Sequence, residues 1–178
     1  MIYHNILENG RVLLRALEPS DVDALYRWEN DTDIWIVSST ITPFSRDLLK
    51  KYIETSDQDI YSVKQLRLVI EAKDQGNIAV GAIDLFDFDP NNRRAGVGVL
   101  IDPAQRGKKY GYEALGVLIK YSFSVLNLHQ LYANVLEENK PGISLFEKCG
   151  FHIIGVKRDW VRSPNGWLNE YLMQKISE

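Results

Sequence analysis

The stretch Val99-Leu100-Ile101-Asp102-Pro103-Ala104-Gln105-Arg106-Gly107-Lys108-Lys109-Tyr110-Gly111-Tyr112-Glu113-Ala114 constrains the fold more than any other. An apolar run of strand character enters a short loop holding Gly107 and Gly111. A helical pattern follows from about Tyr110, with Ala114, Leu118, Tyr121 and Val125 as its apolar stripe. A strand that passes through a tight loop into an amphipathic helix belongs to a sheet with helices laid on it. Backbone N–H groups at such a junction are unpaired, and the helix dipole adds partial positive charge. Arg106, Lys108 and Lys109 add full charge. This chemistry suits a pyrophosphate, and it equally describes a solvated surface loop. Two other phosphate loops fit poorly. A Walker loop needs Ser or Thr after Gly-Lys, and Gly107-Lys108 is followed by Lys109. The dinucleotide fingerprint needs a third glycine after its strand, whereas Gly96-Val97-Gly98 lies inside a strand and leads three residues later to Ile101.

Strand and helix patterns alternate along the rest of the chain. Residues 11–17 read as a strand. Glu18-Pro19-Ser20-Asp21 carries helix-start chemistry, with Val22, Leu25 and Trp28 following at helical spacing. Residues 31–43 read as a loop or short helix, and 45–53 as a helix with Leu48, Leu49, Tyr52 and Ile53 on one face. Three strands follow, at 66–70, 78–88 and 94–101, separated by the turn residues Asp74-Gln75-Gly76-Asn77 and Pro90-Asn91-Asn92. Gly96 and Gly98 within the third imply a bulge or a close approach. Residues 130–136 read as a strand, 142–148 as a short helix, 151–160 as a strand, and 167–176 as the strand that closes the sheet. The pattern predicts one α/β domain over residues 1–178, of the mixed α+β kind. Its central sheet is mostly antiparallel, is flanked by helices, and has its helical crossovers late.

Charge and composition exclude several function classes. Lys+Arg total 21 against Asp+Glu 24, a net charge of −3, so the broad basic field that duplex nucleic acid demands is missing. No apolar run approaches the roughly 20 residues of a membrane span. Met1-Ile2-Tyr3-His4-Asn5-Ile6-Leu7-Glu8 lacks a basic region followed by an apolar one, so no signal peptide and no membrane partner are expected. One cysteine, Cys149, precludes an internal disulfide and a cysteine-based zinc site, and with that the cytoplasm is the expected location. Cys149 precedes Gly150 at a helix end and reads as core packing, not as a nucleophile. His129 and His152 have no partner at metal-ligand spacing, so no metal is expected. Trp160, Trp167 and Tyr171 read as sheet-face packing or an oligomer contact, leaving a homo-oligomer open.

Two motifs in order carry a resemblance. Arg106-Gly107-Lys108-Lys109-Tyr110-Gly111 resembles the Q/R-x-x-G-x-G/A loop of the GNAT superfamily of acetyl-CoA-dependent N-acetyltransferases. Asn139-Lys140-Pro141-Gly142-Ile143-Ser144-Leu145-Phe146-Glu147-Lys148-Cys149-Gly150-Phe151 is similar to its N-x-x-A/S-x-x-x-Y-x-x-x-G-F segment. The opening Arg15-Ala16-Leu17-Glu18-Pro19-Ser20-Asp21 resembles the branch holding ribosomal-protein N-terminal and spermidine acetyltransferases. The likeness runs from about residue 11 to 176. It implies acetyl-CoA as cosubstrate and a sheet whose two central strands, 94–101 and 130–136, splay so that pantetheine enters between them like an extra strand. It places cofactor contacts at Val99, Ile101, Arg106, Gly107, Lys108, Lys109, Tyr110, Gly111, Tyr112, Asn139 and Phe146.

The chain departs from the family pattern at two of these positions. Lys109 stands where glycine is usual, and a non-glycine residue with φ > 0 costs on the order of 1 kcal/mol. Phe146 stands where many members carry the tyrosine that acts as general acid, and phenylalanine has no proton to give. The missing acid is the smaller difficulty. Protonating a leaving thiolate of pKa near 8.5 at neutral pH is worth only about 2 kcal/mol, whereas freeing an alkylamine of pKa near 10.4 costs roughly 4.6 kcal/mol at pH 7. A base therefore matters more than an acid. The oxyanion is assigned to a backbone N–H around Val99 or Leu100, so Leu100 and Asp84 are the expected catalytic positions. Asp84 stands out as an acid among Ala82, Ile83, Leu85 and Phe86. Glu29, Asp31 and Asp33, with Asp87 and Asp89, interleave with Trp28, Trp35, Phe86 and Phe88. Of these, Glu29, Asp31, Trp35 and Asp87 are expected to meet a cationic acceptor by charge and cation–π contact. The expected acceptor is a polyamine or other small amine, with a peptide N-terminus as the alternative. A CoA-binding regulatory domain with little catalysis is the reading that Phe146 favours.

Overall fold

The computed structural model describes residues 5–38, 40–56 and 59–177; residues 1–4, read above for a leader sequence, lie outside them. The strands are β1 (Val12–Arg15), β2 (Leu66–Ala72), β3 (Ile78–Asp89), β4 (Arg94–Ile101), β5 (Gln130–Leu136), β6 (His152–Ser163) and β7 (Gly166–Ile176). They form one seven-stranded sheet in the order β1-β2-β3-β4-β5-β7-β6. The helices are α1 (Val22–Glu29), α2 (Thr32–Ser38), α3 (Arg46–Glu54), α4 (Ile60–Val63), α5 (Tyr110–Ser124) and α6 (Lys140–Lys148). All neighbouring strands pair antiparallel except β4 and β5. That pair is parallel because the chain crosses between them through α5, as parallel neighbours require.

Side-chain alternation divides the core between the two faces of the sheet. Val69 and Ala82 point to one face, where Leu25 and Trp28 of α1 and Leu49 and Ile53 of α3 cover them. Ile70, Ile83, Leu85 and Val97 point to the other, under Leu115 and Leu118 of α5 and Ile143 and Phe146 of α6. With both faces covered, the central strands read as near-continuous apolar runs. Each large side chain fully buried this way contributes about 1.5–3 kcal/mol.

Several local readings are corrected. The helix start at Pro19 is a separate 3-10 turn, Pro19–Asp21. Asp21 is buried there and accepts from both terminal nitrogens of Arg15 (2.8 and 2.9 Å). The region read as a loop or short helix does hold a short helix, α2, and α4, which the sequence reading did not include, is a single turn ended by Lys64 at φ 59°. β7 does not close the sheet; it inserts between β5 and β6, leaving β6 at the edge. β6 is broken there by register shifts between Ile153 and Gly155 and between Lys157 and Val161, irregularities typical of a free edge. Trp160 and Trp167 are 59% and 60% exposed, so neither packs on the sheet.

The feature that positions the site is a parting of β4 from β5. They pair only at Arg94–Gln130, Ala95–Leu131 and Gly96–Tyr132, while β4 stays paired with β3 as far as Ile101. Gly81 permits this. A Cβ there would stand 2.1 Å from the Leu100 carbonyl oxygen, so only glycine lets the end of β4 lie this close to β3. Gly96 serves a related purpose, since the Phe86 ring fills the space its side chain would need.

Candidate active site

A cleft of about 1380 Å³ passes through the gap between the parted strands. Its floor is β4 from Val97 to Ile101, and the facing wall includes Asn134 and Val135 of β5. Backbone direction along β4 follows from its ends. Asp102 N–H donates to the Val80 carbonyl on the β3 side, and the Arg93 carbonyl accepts from His129 and Gln130 at the start of β5. Alternation then turns Gly98 and Leu100 toward β3 and Val99 and Ile101 toward the gap. Leu100 is thereby corrected as the oxyanion position: its peptide N–H faces β3, and Val99 is the residue whose N–H faces the cleft.

One end of the cleft is the strand–helix junction. Gly107 and Lys109 both adopt left-handed backbone, at φ 80° and 68°, so the lysine carries the strain expected of it. Arg106, Gly107, Lys109, Gly111 and Tyr112 line the cleft. Tyr110 belongs to the core: its ring is buried, its hydroxyl donates to Asp74 (2.8 Å) and accepts from Gln75 (2.5 Å). Only its backbone can face a ligand. Lys108 turns its ammonium to Gln105 (2.8 Å), and its carbonyl accepts from Arg11 (3.2 Å). Arg11 also pairs with Asp74, whose carboxyl is held below its ordinary value by the Tyr110 hydroxyl and then by Arg11. The loop is thus braced from behind by β1 and the β2–β3 turn. Arg106 donates through Nε to the Ile101 carbonyl (3.3 Å); its charge, that of exposed Lys109, and the first amides of α5 are what the junction offers a pyrophosphate.

α6 supplies the opposite wall. Asn139 caps it by accepting from Gly142 N–H (3.0 Å), so its Nδ2 donor is what it can offer a ligand. Gly142 is required by that cap, because a Cβ would lie 2.6 Å from Asn139 Nδ2. Phe146 is nearly buried, packs edge-on to Phe151 (5.0 Å between centroids) and also lines the cleft. Cys149 lies in a separate groove of about 460 Å³ behind α5. Burial pushes its thiol up to about 11, which suits an inert side chain.

The other end of the cleft is acidic, although not as the sequence suggested. Asp84 and Glu29 line it together with Asp33. Both are held by Arg67, which the sequence reading passed over. Arg67 Nε and Nη2 donate to the two oxygens of Asp84 (2.6 and 3.2 Å), and Nη1 donates to Glu29 (2.6 Å). Burial works against the Arg67 charge, but Asp84 and Glu29 outweigh it and keep the guanidinium firmly protonated. Asp84 therefore meets a fixed counter-ion at both oxygens. Among the other acceptor candidates, Asp31, Trp35 and Asp87 do not line the cleft. Asp31 accepts from Asp33 N–H (3.1 Å), the Trp35 indole donates to the Glu29 carbonyl (2.8 Å), and Asp87 accepts from the Tyr132 hydroxyl (3.2 Å). Burial and Asp87 together raise that hydroxyl to about 12. Asp102 was also missed. Its carboxylate accepts from Trp28 of α1 (2.8 Å) and from Ala104 N–H (2.9 Å), tying the acceptor wall to the loop.

A sheet parted beside a cationic helix start is the arrangement that the GNAT resemblance implies. Residues 11–152 match the family described as Acetyltransferase (GNAT) domain, and the chain belongs to that family. Among its relatives is the spermidine N(1)-acetyltransferase of Vibrio cholerae, 29% identical over 143 residues, 80% of each chain. The Escherichia coli K12 protein of the same name is 28% identical over 147 residues, 81% of this chain and 74% of that one. The crystal structure of the Vibrio cholerae enzyme in complex with CoA and spermine superposes with a TM-score of 0.84 at 25% identity, covering 94% of this chain and 96% of that one.

Proposed function

We propose that the protein moves the acetyl group of acetyl-CoA to the primary amine of a small cationic acceptor by direct attack. The carrying observation is that one continuous cleft joins the Gly107–Gly111 junction to the Glu29–Arg67–Asp84 cluster through the gap between β4 and β5. Acetyl-CoA supplies an activated thioester. Arg106, Lys109 and the first amides of α5 would hold its pyrophosphate, the gap-facing peptides of Val99 and Ile101 its pantetheine amides, and Asn139 Nδ2 a further polar group. Val99 N–H is the donor on this chain for a developing oxyanion. Phe146 excludes water beside the sulfur and donates nothing. The acidic end, where Asp33 joins a Glu29–Arg67–Asp84 cluster of two carboxylates and one guanidinium, draws a cationic amine to the gap, and Asp84, held at both oxygens by Arg67, is not a free proton acceptor. The relatives' names, all acetyltransferases and several acting on spermidine, support a small amine over a peptide N-terminus. No helix among the described residues is long and apolar enough to cross a membrane.

A panel of primary amines, with a peptide bearing a free N-terminus, assayed for acetyl-CoA consumption tests this reading. Turnover with one or more small amines supports it. Turnover of the peptide alone refutes the acceptor class. CoA binding without turnover of anything supports instead the regulatory reading that Phe146 favours, and Phe146→Tyr would then be expected to restore measurable activity.

A further inference from the structure

The face of the sheet that carries Asp84 also carries a hollow. Ala82, Asp84 and Phe86 of β3 point to this face, in register with Leu100, Gly98 and Gly96 of β4. The Phe86 ring fills the space over Gly96. Over Gly98 the space stays open to the cleft: the nearest atom to a Cβ there is Asp84 Oδ2, at an ordinary contact distance of 3.7 Å. The hollow lies one residue from Val99, whose peptide faces the gap.

α2 lines the same cleft, and its composition does not fit its exposure. Ile34, Trp35, Ile36 and Val37 are four apolar residues in succession, yet none of the seven residues of α2 is buried. Trp35 is used to tie α2 to α1, through its bond to the Glu29 carbonyl (2.8 Å). Ile34 and Val37 are one turn apart and both line the cleft, and Val37 is 52% exposed. A single apolar side chain on a surface needs no explanation. Two on one helix face, turned to a ligand cleft and next to the acids Asp33, Glu29 and Asp84, match the ordinary build of a small-molecule site, in which apolar walls surround a few polar groups. The acids account for the charge of an acceptor. They leave open what is attached to its ammonium, and the apolar wall answers that.

We propose that Ile34 and Val37 are specificity-determining residues: they cover the carbon frame of the acceptor, so the site selects primary amines by the length of the apolar chain next to the reacting nitrogen. The inference rests on the reading of the protein as a small-amine acetyltransferase and narrows it. Amines with an uninterrupted run of carbons beside the nitrogen become the preferred acceptors, with or without a second charge beyond that run, and the shortest amines are poor ones.

The test is a homologous series. kcat/KM is measured with n-propylamine, n-butylamine and n-hexylamine for the full-length protein, for Val37→Thr and for Ile34→Thr combined with Val37→Thr. Threonine keeps the branch at Cβ and places a hydroxyl on it. Full burial of one methylene is worth about fourfold, and a half-exposed wall should give about two- to threefold per methylene. Hexylamine should therefore exceed propylamine by at least about tenfold in the wild-type protein, mainly through KM. The ratio should fall to about threefold or less in the double variant, with Val37→Thr between the two. Higher salt should weaken every amine by screening the acids and leave the ratio unchanged, because the wall carries no charge. Thermal unfolding and CoA titration report whether each variant is folded, and Val37→Thr alone decides the matter if the double variant is not. Equal kcat/KM for the three amines in the wild type, or the wild-type ratio retained in the folded variants, overturns the proposal while leaving the acetyltransferase reading intact. Failure of every amine overturns that reading, and the proposal with it.

Discussion

Replacing Gly81 with alanine adds one methyl group and should have a large effect for its size. Gly81 has ordinary extended backbone, so alanine suffers no conformational penalty there. The cost is steric. The new Cβ would stand 2.1 Å from the Leu100 carbonyl oxygen and 3.1 Å from Ile101 Cα. Both are backbone atoms of β4, so no side chain can swing aside, and the strand itself must move. Overpacking of this kind costs about 1–3 kcal/mol, and a backbone obstacle belongs at the upper end, about 2–3 kcal/mol. For a protein of this size each kcal/mol shifts Tm by about 2–4 °C, so Tm should fall by ~4–12 °C. The displaced strand is the cleft floor, so acetyl-CoA affinity should fall as well. Gly116→Ala in α5 is the control. Nothing lies within 4 Å of a Cβ there, and replacing a mid-helix glycine should stabilise by about 0.5–1 kcal/mol. Thermal unfolding and CoA titration of both variants settle the matter. Equal Tm values for Gly81→Ala and the wild type, with unchanged CoA affinity, would refute the argument that close packing of β4 on β3 opens the gap.

Other expected outcomes follow from the same geometry. Lys109→Gly relieves left-handed strain and should raise Tm by a few degrees, while CoA binding weakens and loses part of its salt dependence; titrations at two ionic strengths check both effects. Asp21→Asn should destabilise by roughly 1–3 kcal/mol, less than a fully buried pair because Arg15 is 24% exposed. Burial opposes the Asp21 charge, yet Arg15 and the Glu18 N–H hold its carboxyl below the usual value. Its stabilisation is therefore present above the unfolded carboxyl range and lost as pH falls below about 4, and the variant's acid unfolding curve should be the flatter one. Cys149, with its thiol near 11, should react with iodoacetamide at pH 7 far more slowly than a free thiol, as mass spectrometry over time would show.

The sequence made the architecture legible where side-chain period and turn chemistry agreed. The strand–loop–helix junction and the apolar central strands lay in local pattern. Local pattern cannot say which strand neighbours which, so the insertion of β7 between β5 and β6 was hidden. The same limit governed the site. Asp84 was visible as an acid in an apolar strand, and Arg67 in Leu66-Arg67-Leu68 carried the same signal. Their meeting depends on β2–β3 register, which no local pattern states. Asp31 and Asp87 drew notice as acids beside aromatics, yet Asp31 binds its neighbour's backbone and Asp87 the Tyr132 hydroxyl. Leu100 and Val99 are equivalent as letters and differ only in the direction their peptides face.

That last distinction offers the most direct test of the account, which holds that acetyl-CoA lies along the free edge of β4. Amide hydrogen exchange of β4, resolved by NMR with and without CoA, reads each peptide separately. The account predicts that CoA slows exchange at Val99 and Ile101, whose N–H groups face the gap, and leaves Gly98 and Leu100, which face β3, nearly unchanged. Equal protection at all four, or none at Val99 when CoA is bound, would contradict it.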